Sequence, residues 1–389
     1  MNDGTALVIA MIGTRGVPAA YGGFETAIEE IGRRLVGRGH RVLVYTRGSE
    51  RREREYLGME IVRLPAVPVK QVETLSHTGL STVHALTRRR IDAAFVFNAA
   101  NSPFVPLLRA RRIPTALHMD GLEWRRSKWG PRGRAYYRWA EQFGVRRADA
   151  LIADAPGIAD YYRHQFDVAT EMIRYGAPLI DSAPTEGIRG IGLEPGGYHL
   201  VVARFEPENH VREIVAGYAE SRARRPLVVV GSAPYSAEYT HRIQDLADGD
   251  PRIRLLGSVY DQQLLDALYA HAFTYLHGHS VGGTNPSLLR AMGAATAVVA
   301  FDVGFNRETA GGGWFFSDPG GVTRALHDAE ADPEAVAAAG RAARERAAAA
   351  FDWDDVATRY EELARRLAAG GSVHRSARRA RRSSEEWAR

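Results

Sequence analysis

The chain has 389 residues, 45% hydrophobic and 25% charged, with no cysteine and a formal net charge of +5. That length suits two domains rather than one, and the lack of cysteine excludes disulfides, thiol nucleophiles and thiolate-bound metals. No apolar run approaches the ~20 residues of a membrane span, and the opening MNDGTALVIAMIG lacks the basic start and cleavage site of a signal peptide, so a cytoplasmic protein is expected.

ALVIAMIG (6–13) is a strand of the fully buried kind. The loop GTRGVPAAYGG (13–23) follows, then an amphipathic helix, FETAIEEIGRRLVGRGH, and the strand RVLVYTR (41–47). This is a β–glycine loop–α–β unit. Its glycine spacing fails G-x-G-x-x-G and no acidic residue ends its second strand, which excludes a nicotinamide or flavin dehydrogenase. Further strands are expected at 59–67, 92–100, 114–120 and 149–154, with helices around 74–89, 103–111, 130–147 and 156–166. The stretch DSAPTEGIRGIGLEPGG (181–197), rich in Pro and Gly, is expected to link an N-terminal domain, 1–180, to a C-terminal one, 198–369. There the alternation restarts, with strands at 197–205, 226–232, 253–259, 272–278, 297–302 and 313–318. Two strongly helical segments close the domain, and the last of them can cross back to the first. Repeated β–α alternation means parallel sheets with helices on both faces. Ligands of such sheets bind outside the carboxyl ends of the strands.

The tail GGSVHRSARRARRSSEEWAR (370–389) holds six Arg and two Glu, so it accounts for most of the net charge and leaves the body close to neutral. Such a Ser/Arg/Gly extension cannot build a core. It reads as a solvated disordered end, or as an attachment to anionic membrane through the Arg cluster at 375–382. No aromatic–basic interleaving accompanies it, so nucleic acid is not expected.

The strand at 272–278 runs into a loop with Gly282, Gly283 and Thr284, after which Pro286 opens a helix. Free amides beside a helix N-terminus suit a phosphate, although an ordinary strand–turn–helix corner has the same look. Arg204, ending the strand in LVVARFEPENH, can grip a diphosphate bidentately or pair with Glu206 or Glu208. His118 and Asp120 end another strand, where they can orient a sugar hydroxyl, assist catalysis or serve structure. His277 and His279 share a strand face without an acidic neighbour, so no metal is expected there. Asp352 and Asp354 in FDWDD read as helix caps. Glu308 can accept from sugar or ribose hydroxyls, or simply mark a helix start.

Five segments together, IGTRGVPAAYGGFET, DGLEWRRSKW, VVARFEPEN, HGHSVGGTNPSLL and FDVGFNRE, resemble the family 4 glycosyltransferases. The nearest look is to a bacterial subgroup that includes rhamnosyltransferases of polysaccharide assembly. The resemblance covers roughly residues 6–365 and implies the α/β GT-B fold, two Rossmann-like domains with parallel sheets facing across a cleft. It implies a nucleoside-diphosphate sugar as donor, UDP or dTDP being the expected nucleotides, and no cofactor. Matched position by position, it puts Arg204 on the diphosphate, and Gly282, Gly283, Thr284 and Asn285 on phosphates and sugar. Glu308 falls on hydroxyls, Gly22 and Gly23 on a loop closing over the phosphates, and His118 and Asp120 near the anomeric carbon. Arg15, Tyr21, Glu123 and Trp124 fall on the acceptor side.

The sequence departs from the wider family in three places. The family's paired carboxylates fall on Gly282 and Arg290, and its phosphate lysine falls on Asn209, so Arg290 and Asn209 are expected to shape donor choice. The implied activity is retaining, metal-independent transfer of a sugar, a deoxysugar such as rhamnose included, to a glycan, lipid-linked or small-molecule hydroxyl. A nucleotide-sugar epimerase of the same fold and a catalytically silent sugar-nucleotide-binding subunit are the alternatives.

Overall fold

The structure, a computed structural model, describes residues 5–19, 23–48, 53–69, 72–119, 121–232 and 237–372. It divides into two compact units. One takes the described residues up to Trp124, then Pro131–Arg174 and everything from Trp353 on; the other takes Arg125–Gly130 and Tyr175–Asp352.

The first unit opens with β1 (Val8–Ile12), α1 (Gly23–Gly37) and β2 (Arg41–Arg47), followed by β3 (Glu55–Tyr56), β4 (Met59–Leu64) and α2 (Glu73–Thr87). Next come β5 (Ala93–Phe97), a 3₁₀ turn at Ala99–Phe104, α3 (Val105–Ala110) and β6 (Thr115–His118). It continues with α4 (Pro131–Arg147), β7 (Ala150–Ala153), α5 (Pro156–Phe166) and β8 (Glu171–Met172). The eight strands run in the order β3-β4-β2-β1-β5-β6-β7-β8, all parallel except β3, which makes a hairpin with β4 through Leu57 and Gly58 at positive φ. Every residue of β1 is buried, as a central parallel strand covered on both faces must be. Rightward steps along the sheet place α2 to α5 on one face and α1 on the other, by the right-handed rule for crossovers.

The second unit begins before the expected boundary. The stretch 181–197 is not a linker: it carries α6 (Glu186–Gly190), and Ile188 and Leu193 are buried there despite the Pro and Gly around them. Arg344 ties the preceding turn down, donating to the Ile180 carbonyl at 2.9 Å and pairing with Asp181. The strands are β9 (His199–Val202), β10 (Leu227–Val230), β11 (Ile253–Gly257), β12 (Thr274–His277), β13 (Ala297–Phe301) and β14 (Trp314–Phe316). The helices between them are α7 (Val211–Ala219), α8 (Ala237–Ala247), α9 (Gln262–Ala270), α10 (Pro286–Gly293) and α11 (Gly304–Ala310), with α12 (Pro319–Ala331) and α13 (Pro333–Ala350) after β14. The sheet order is β11-β10-β9-β12-β13-β14, all parallel. The last helix, α14 (Trp353–Ala368), packs on α1 and β5 in the first unit, with Tyr360 edge-on to Phe95 at 4.9 Å. Among the described residues no helix is long and apolar enough to cross a membrane.

Candidate functional site

In the second sheet the strand order reverses between β9 and β12, so the loops that leave these strands diverge and open a crevice at the sheet's carboxyl edge. The loop after β12 is pinned on both sides before it opens. Gly278 has no room for a side chain, because a Cβ would stand 2.0 Å from the Asn209 carbonyl oxygen. His210 Nδ1 bonds the Gly278 carbonyl at 2.7 Å, and its ring stacks on Phe301 at 3.9 Å. The Ser280 amide and hydroxyl both donate to the Glu208 carbonyl, at 2.9 and 3.0 Å. On the other side the Asn306 amide group donates to the carbonyls of His279 and Phe301, each at 2.9 Å.

The loop then turns at Gly282, whose φ of +128° is one L side chains rarely adopt. Among the described residues the amides of Gly282 and Gly283 donate to nothing. Thr284 is buried, and Asn285 caps α10 by accepting from the Ser287 amide at 2.9 Å, with Pro286 in the first helical position. Two unengaged amides therefore sit beside the positive end of α10, an arrangement that favours an anion.

Arg204 stands just past β9 with its side chain 40% exposed and Nη1 3.6 Å from Glu206 Oε1. A pair that long and that exposed is weak, so the guanidinium stays available to a ligand. Asn209 does not stand beside it as a donor-selecting group. It is buried, and its side-chain amide donates to the Arg204 carbonyl at 2.8 Å, so it shapes the turn that carries Arg204.

The cation missing at 209 has a substitute that the sequence reading passed over. The segment 125–130, flanked on both sides by first-unit chain, belongs to the second unit. Ser127 donates to Glu208 Oε2 at 2.6 Å and fastens it there. Arg126 Nη1 lies 3.8 Å from Glu206 Oε2 and 4.0 Å from Glu208 Oε1, beyond hydrogen-bond length. Arg126 Nη2 is 4.0 Å from the point where a Cβ on Gly282 would stand. The same convergence is visible at His279: burial first, then the charges of His277, Arg204 and Arg126, hold its imidazole well below its usual pKa. The only sequence signal was RRSK in DGLEWRRSKW, and its partners lie some 80 residues away.

The Arg290 guanidinium is paired with Asp266 of α9. The helix period that brings residue 290 onto the face of α10 toward α9 also brings it this carboxylate. Glu308 is exposed on α11, the short helix at the neighbouring sheet edge. His277, pushed by burial to about 3, stacks on His279 at 4.5 Å, so both rings are neutral. Among the described residues no three His, Asp or Glu gather as a metal site would need.

The first unit's glycine loop is closed on itself. The amides of Arg15, Gly16, Val17 and Ala19 donate to Glu25 Oε1 (3.1 Å), Thr14 Oγ1 (3.0 Å), Thr46 Oγ1 (3.4 Å) and Glu29 Oε2 (2.8 Å). Gly13 and Gly16 lie so close to Phe97 and Thr46 that a Cβ would stand 2.5 and 2.2 Å from their atoms. Residues 15–19 therefore offer no amide to a phosphate, unlike the loop at 282–283. Gly23 begins α1, and Gly22, Tyr21 and Asp120 lie outside the described residues. The Arg15 side chain is exposed, 3.9 Å from Glu73.

His118 is packed between Phe24, edge-on at 5.1 Å, and Phe97, stacked at 5.6 Å, and burial lowers its pKa to about 3. A ring that weakly basic is neutral at working pH and is a poor proton acceptor. Glu123 is buried, and Trp124 lies half-buried under the Arg138 guanidinium of α4 at 4.4 Å. Unforeseen polar groups are buried along α2, at His77, Thr78, Ser81 and Thr82. The hydroxyls of Thr78 and Thr82 have no hydrogen-bond partner among the described residues.

Residues 7–178 match the model of a domain of unknown function, DUF1972, and residues 197–342 match that of glycosyl transferases group 1. No curated protein matches the sequence. The structure is similar to a sucrose-phosphate synthase from Thermosynechococcus elongatus, at 20% identity over 94% of this chain and 100% of that one, with a TM-score of 0.81. It is similar to Anabaena HepE in complex with UDP-glucose, at 16% identity over 92% of this chain and 99% of that one, TM-score 0.75. An α,α-trehalose-phosphate synthase (UDP-forming) from Burkholderia vietnamiensis gives 14%, 93%, 99% and 0.66 for the same measures. At such identities the likeness fixes the fold, which is GT-B.

Proposed function

We propose that this chain, a glycosyltransferase of the GT-B fold, moves a sugar from a nucleoside diphosphate to an acceptor hydroxyl, retaining the anomeric configuration and using no metal. One observation carries the reading: the unengaged amides of Gly282 and Gly283 share a crevice with the guanidinium groups of Arg204 and Arg126. Preorganised donors of this kind stabilise the charge that develops on a departing diphosphate. With His118 neutral, the acceptor proton passes to the diphosphate oxygen that leaves: the acceptor oxygen bonds the anomeric carbon as the carbon–phosphate oxygen bond breaks on the same face.

UDP is the first nucleotide to try, since a structural neighbour binds UDP-glucose; dTDP and a deoxysugar such as rhamnose come next, on the sequence resemblance. The test is a thermal-shift screen with UDP, dTDP and GDP, followed by their sugars with glycan, lipid-linked and small-molecule acceptors. A ligand at 100 times its Kd stabilises by about 2.7 kcal/mol. Acceptor-dependent release of nucleoside diphosphate supports transfer, and no stabilisation by any nucleotide sinks it.

A second reading, an epimerase acting on the sugar nucleotide, is favoured by Glu206 and Glu208. Each buries one carboxylate oxygen that has no hydrogen-bond partner among the described residues at the same crevice. Interconversion of two nucleotide sugars in the absence of acceptor would select it.

A further inference from the structure

The near-zero charge of the body conceals a strong local imbalance. Within the first unit, residues 73–124 and 131–147 carry eleven Lys and Arg against five Asp and Glu. Two of those carboxylates, Glu123 and Glu141, are buried; Asp92 is turned inward to the Val8 amide and Arg90, and Glu73 to Arg47. Some of the cations are paired, Arg90 with Asp92 at 2.9 Å and Arg109 with Asp149 at 3.1 Å, but six are not. Arg111, Arg112, Arg132, Arg134, Arg146 and Arg147 are exposed, and none has a carboxylate partner among the described residues. All six lie on or directly beside α3 and α4, in the helical layer that α2 shares.

The same layer exposes apolar side chains that a water-facing helix does not need. Leu80 and Val83 on α2 are 43% and 57% exposed, Leu107 on α3 is 46% exposed, and Trp139 on α4 is 48% exposed. Trp139 stands in a ladder along α4, 5.8 Å from Tyr136 and 5.3 Å from Phe143, with rings at i, i+3 and i+7. Arg132 and Arg134 lie near one end of the ladder, and Arg146 and Arg147 at the other. The other helical face of the sheet is a built-in control. There α1 and α14 mix both signs and pair them, Arg34 with Asp354 at 2.9 Å and Arg38 with Glu361 at 3.0 Å. One face of the unit is charge-balanced and laced, while the other is cationic and studded with rings.

We propose that the outer face of α2, α3 and α4 docks the protein on a bilayer of anionic lipid. Trp and Tyr settle at the headgroup level with the ring in the apolar boundary, and Arg stems lie along apolar surface while the guanidinium reaches phosphate. A cluster of four to eight Lys or Arg on a helix surface is the pattern for an acidic leaflet. Charge complementarity alone would suit any polyanion, but the exposed Leu80, Val83, Leu107 and Trp139 call for an apolar layer beneath the charges. This surface is independent of the donor crevice. It also moves membrane attachment from the 375–382 Arg cluster, which lies outside the described residues, to folded structure.

The test is co-sedimentation of the full-length chain with phosphatidylcholine vesicles, with and without phosphatidylglycerol, at low and high salt. The expected result is binding to the anionic vesicles only, weakened by salt. Arg134→Glu with Arg146→Glu lowers that partitioning by about tenfold or more, and Trp139→Ser also lowers it, whereas Trp139→Phe retains it. Full-length chain with the tail Arg375, Arg378, Arg379, Arg381 and Arg382 changed to Ser keeps most of the binding. Circular dichroism and thermal midpoint confirm that each variant is folded, as the exposure of these side chains leads one to expect. The proposal is overturned if the unaltered chain ignores anionic vesicles, or if the tail variant alone abolishes binding. It is equally overturned if the Trp139→Ser chain binds like the unaltered one, which would mark a site for polyanions and not for a bilayer.

Discussion

The side-chain amide of Asn209 donates to the main-chain carbonyl of Arg204, 2.8 Å away, and is buried in doing so. Position 209 therefore holds the shape of the 204–209 turn that carries Arg204. Asn209→Ala removes one of the two hydrogen bonds that carbonyl accepts, the Glu206 amide at 2.8 Å being the other, at a cost of about 1 kcal/mol. The thermal midpoint is expected to fall and nucleotide affinity to fall with it. Asn209→Lys should not raise affinity, because the position faces protein; calorimetric titration with UDP and dTDP checks both.

Arg204 and Arg126 should weaken nucleoside diphosphate binding when each is changed to Ala, by about 1.5–3 kcal/mol, the range for charged hydrogen bonds. Since both guanidinium groups converge on one crevice, the double variant should fall short of the sum. Isothermal titration of the four proteins gives the coupling directly. Full additivity would place the two side chains on separate ligand groups.

Arg290→Ala should cost stability and leave donor choice alone, because the guanidinium serves Asp266. A partly exposed ion pair contributes up to about 1 kcal/mol, which lowers the thermal midpoint by a few degrees. A changed UDP-to-dTDP affinity ratio in this variant would return Arg290 to the donor site.

Acid should loosen both units. Burial alone would raise the carboxyl of Glu330, but hydrogen bonds from His199 and from the amides of Arg225 and Arg224 outweigh it and hold the group at about 2. Glu361 is held at about 2 in the same way, burial being outweighed by Arg365, His40 and Arg38. Both folded values lie below the ordinary 4.5, so the stabilisation is present above about pH 4.5 and lost as pH falls toward 2. Glu330→Gln should flatten the fall of thermal midpoint between pH 5 and 3, a change that differential scanning calorimetry would follow.

His118 gives a sign of its own. Its folded pKa of about 3 lies below the usual 6.5, so it stays neutral through the working range and charges only in strong acid. The pH profile of kcat should therefore show no limb from this residue between pH 5 and 8. A limb near 6.5 that vanishes in His118→Phe would contradict its burial between Phe24 and Phe97.

The architecture was legible because fully buried parallel strands write themselves as apolar runs. β1, β2, β7, β10, β12 and β13 all fall inside the runs marked for them. β3 and β8, two residues each, carry no period to read. The boundary was misplaced because Pro and Gly in 181–197 outshone two buried anchors, Ile188 and Leu193. At the crevice, Arg204 and the 282–285 loop could be marked from sequence because strand ends and glycines are local signals. Arg126 was missed because its significance is long-range, set by Ser127 meeting Glu208. The partner of Arg290 could not be read for the same reason: Asp266 lies 24 positions earlier in the chain, on another helix.

The path of the chain constrains how this protein can be divided. Arg125–Gly130 sits in the second unit while the residues on either side of it belong to the first, and Trp353 onward returns to the first again. No single cut separates the units. A fragment spanning 175–352 would keep Arg204 and the amides of Gly282 and Gly283, yet lose Arg126 and Ser127. Glu206 and Glu208 would then face the phosphate crevice uncompensated, and the excised piece should bind nucleotide more weakly than the intact chain, however well it folds.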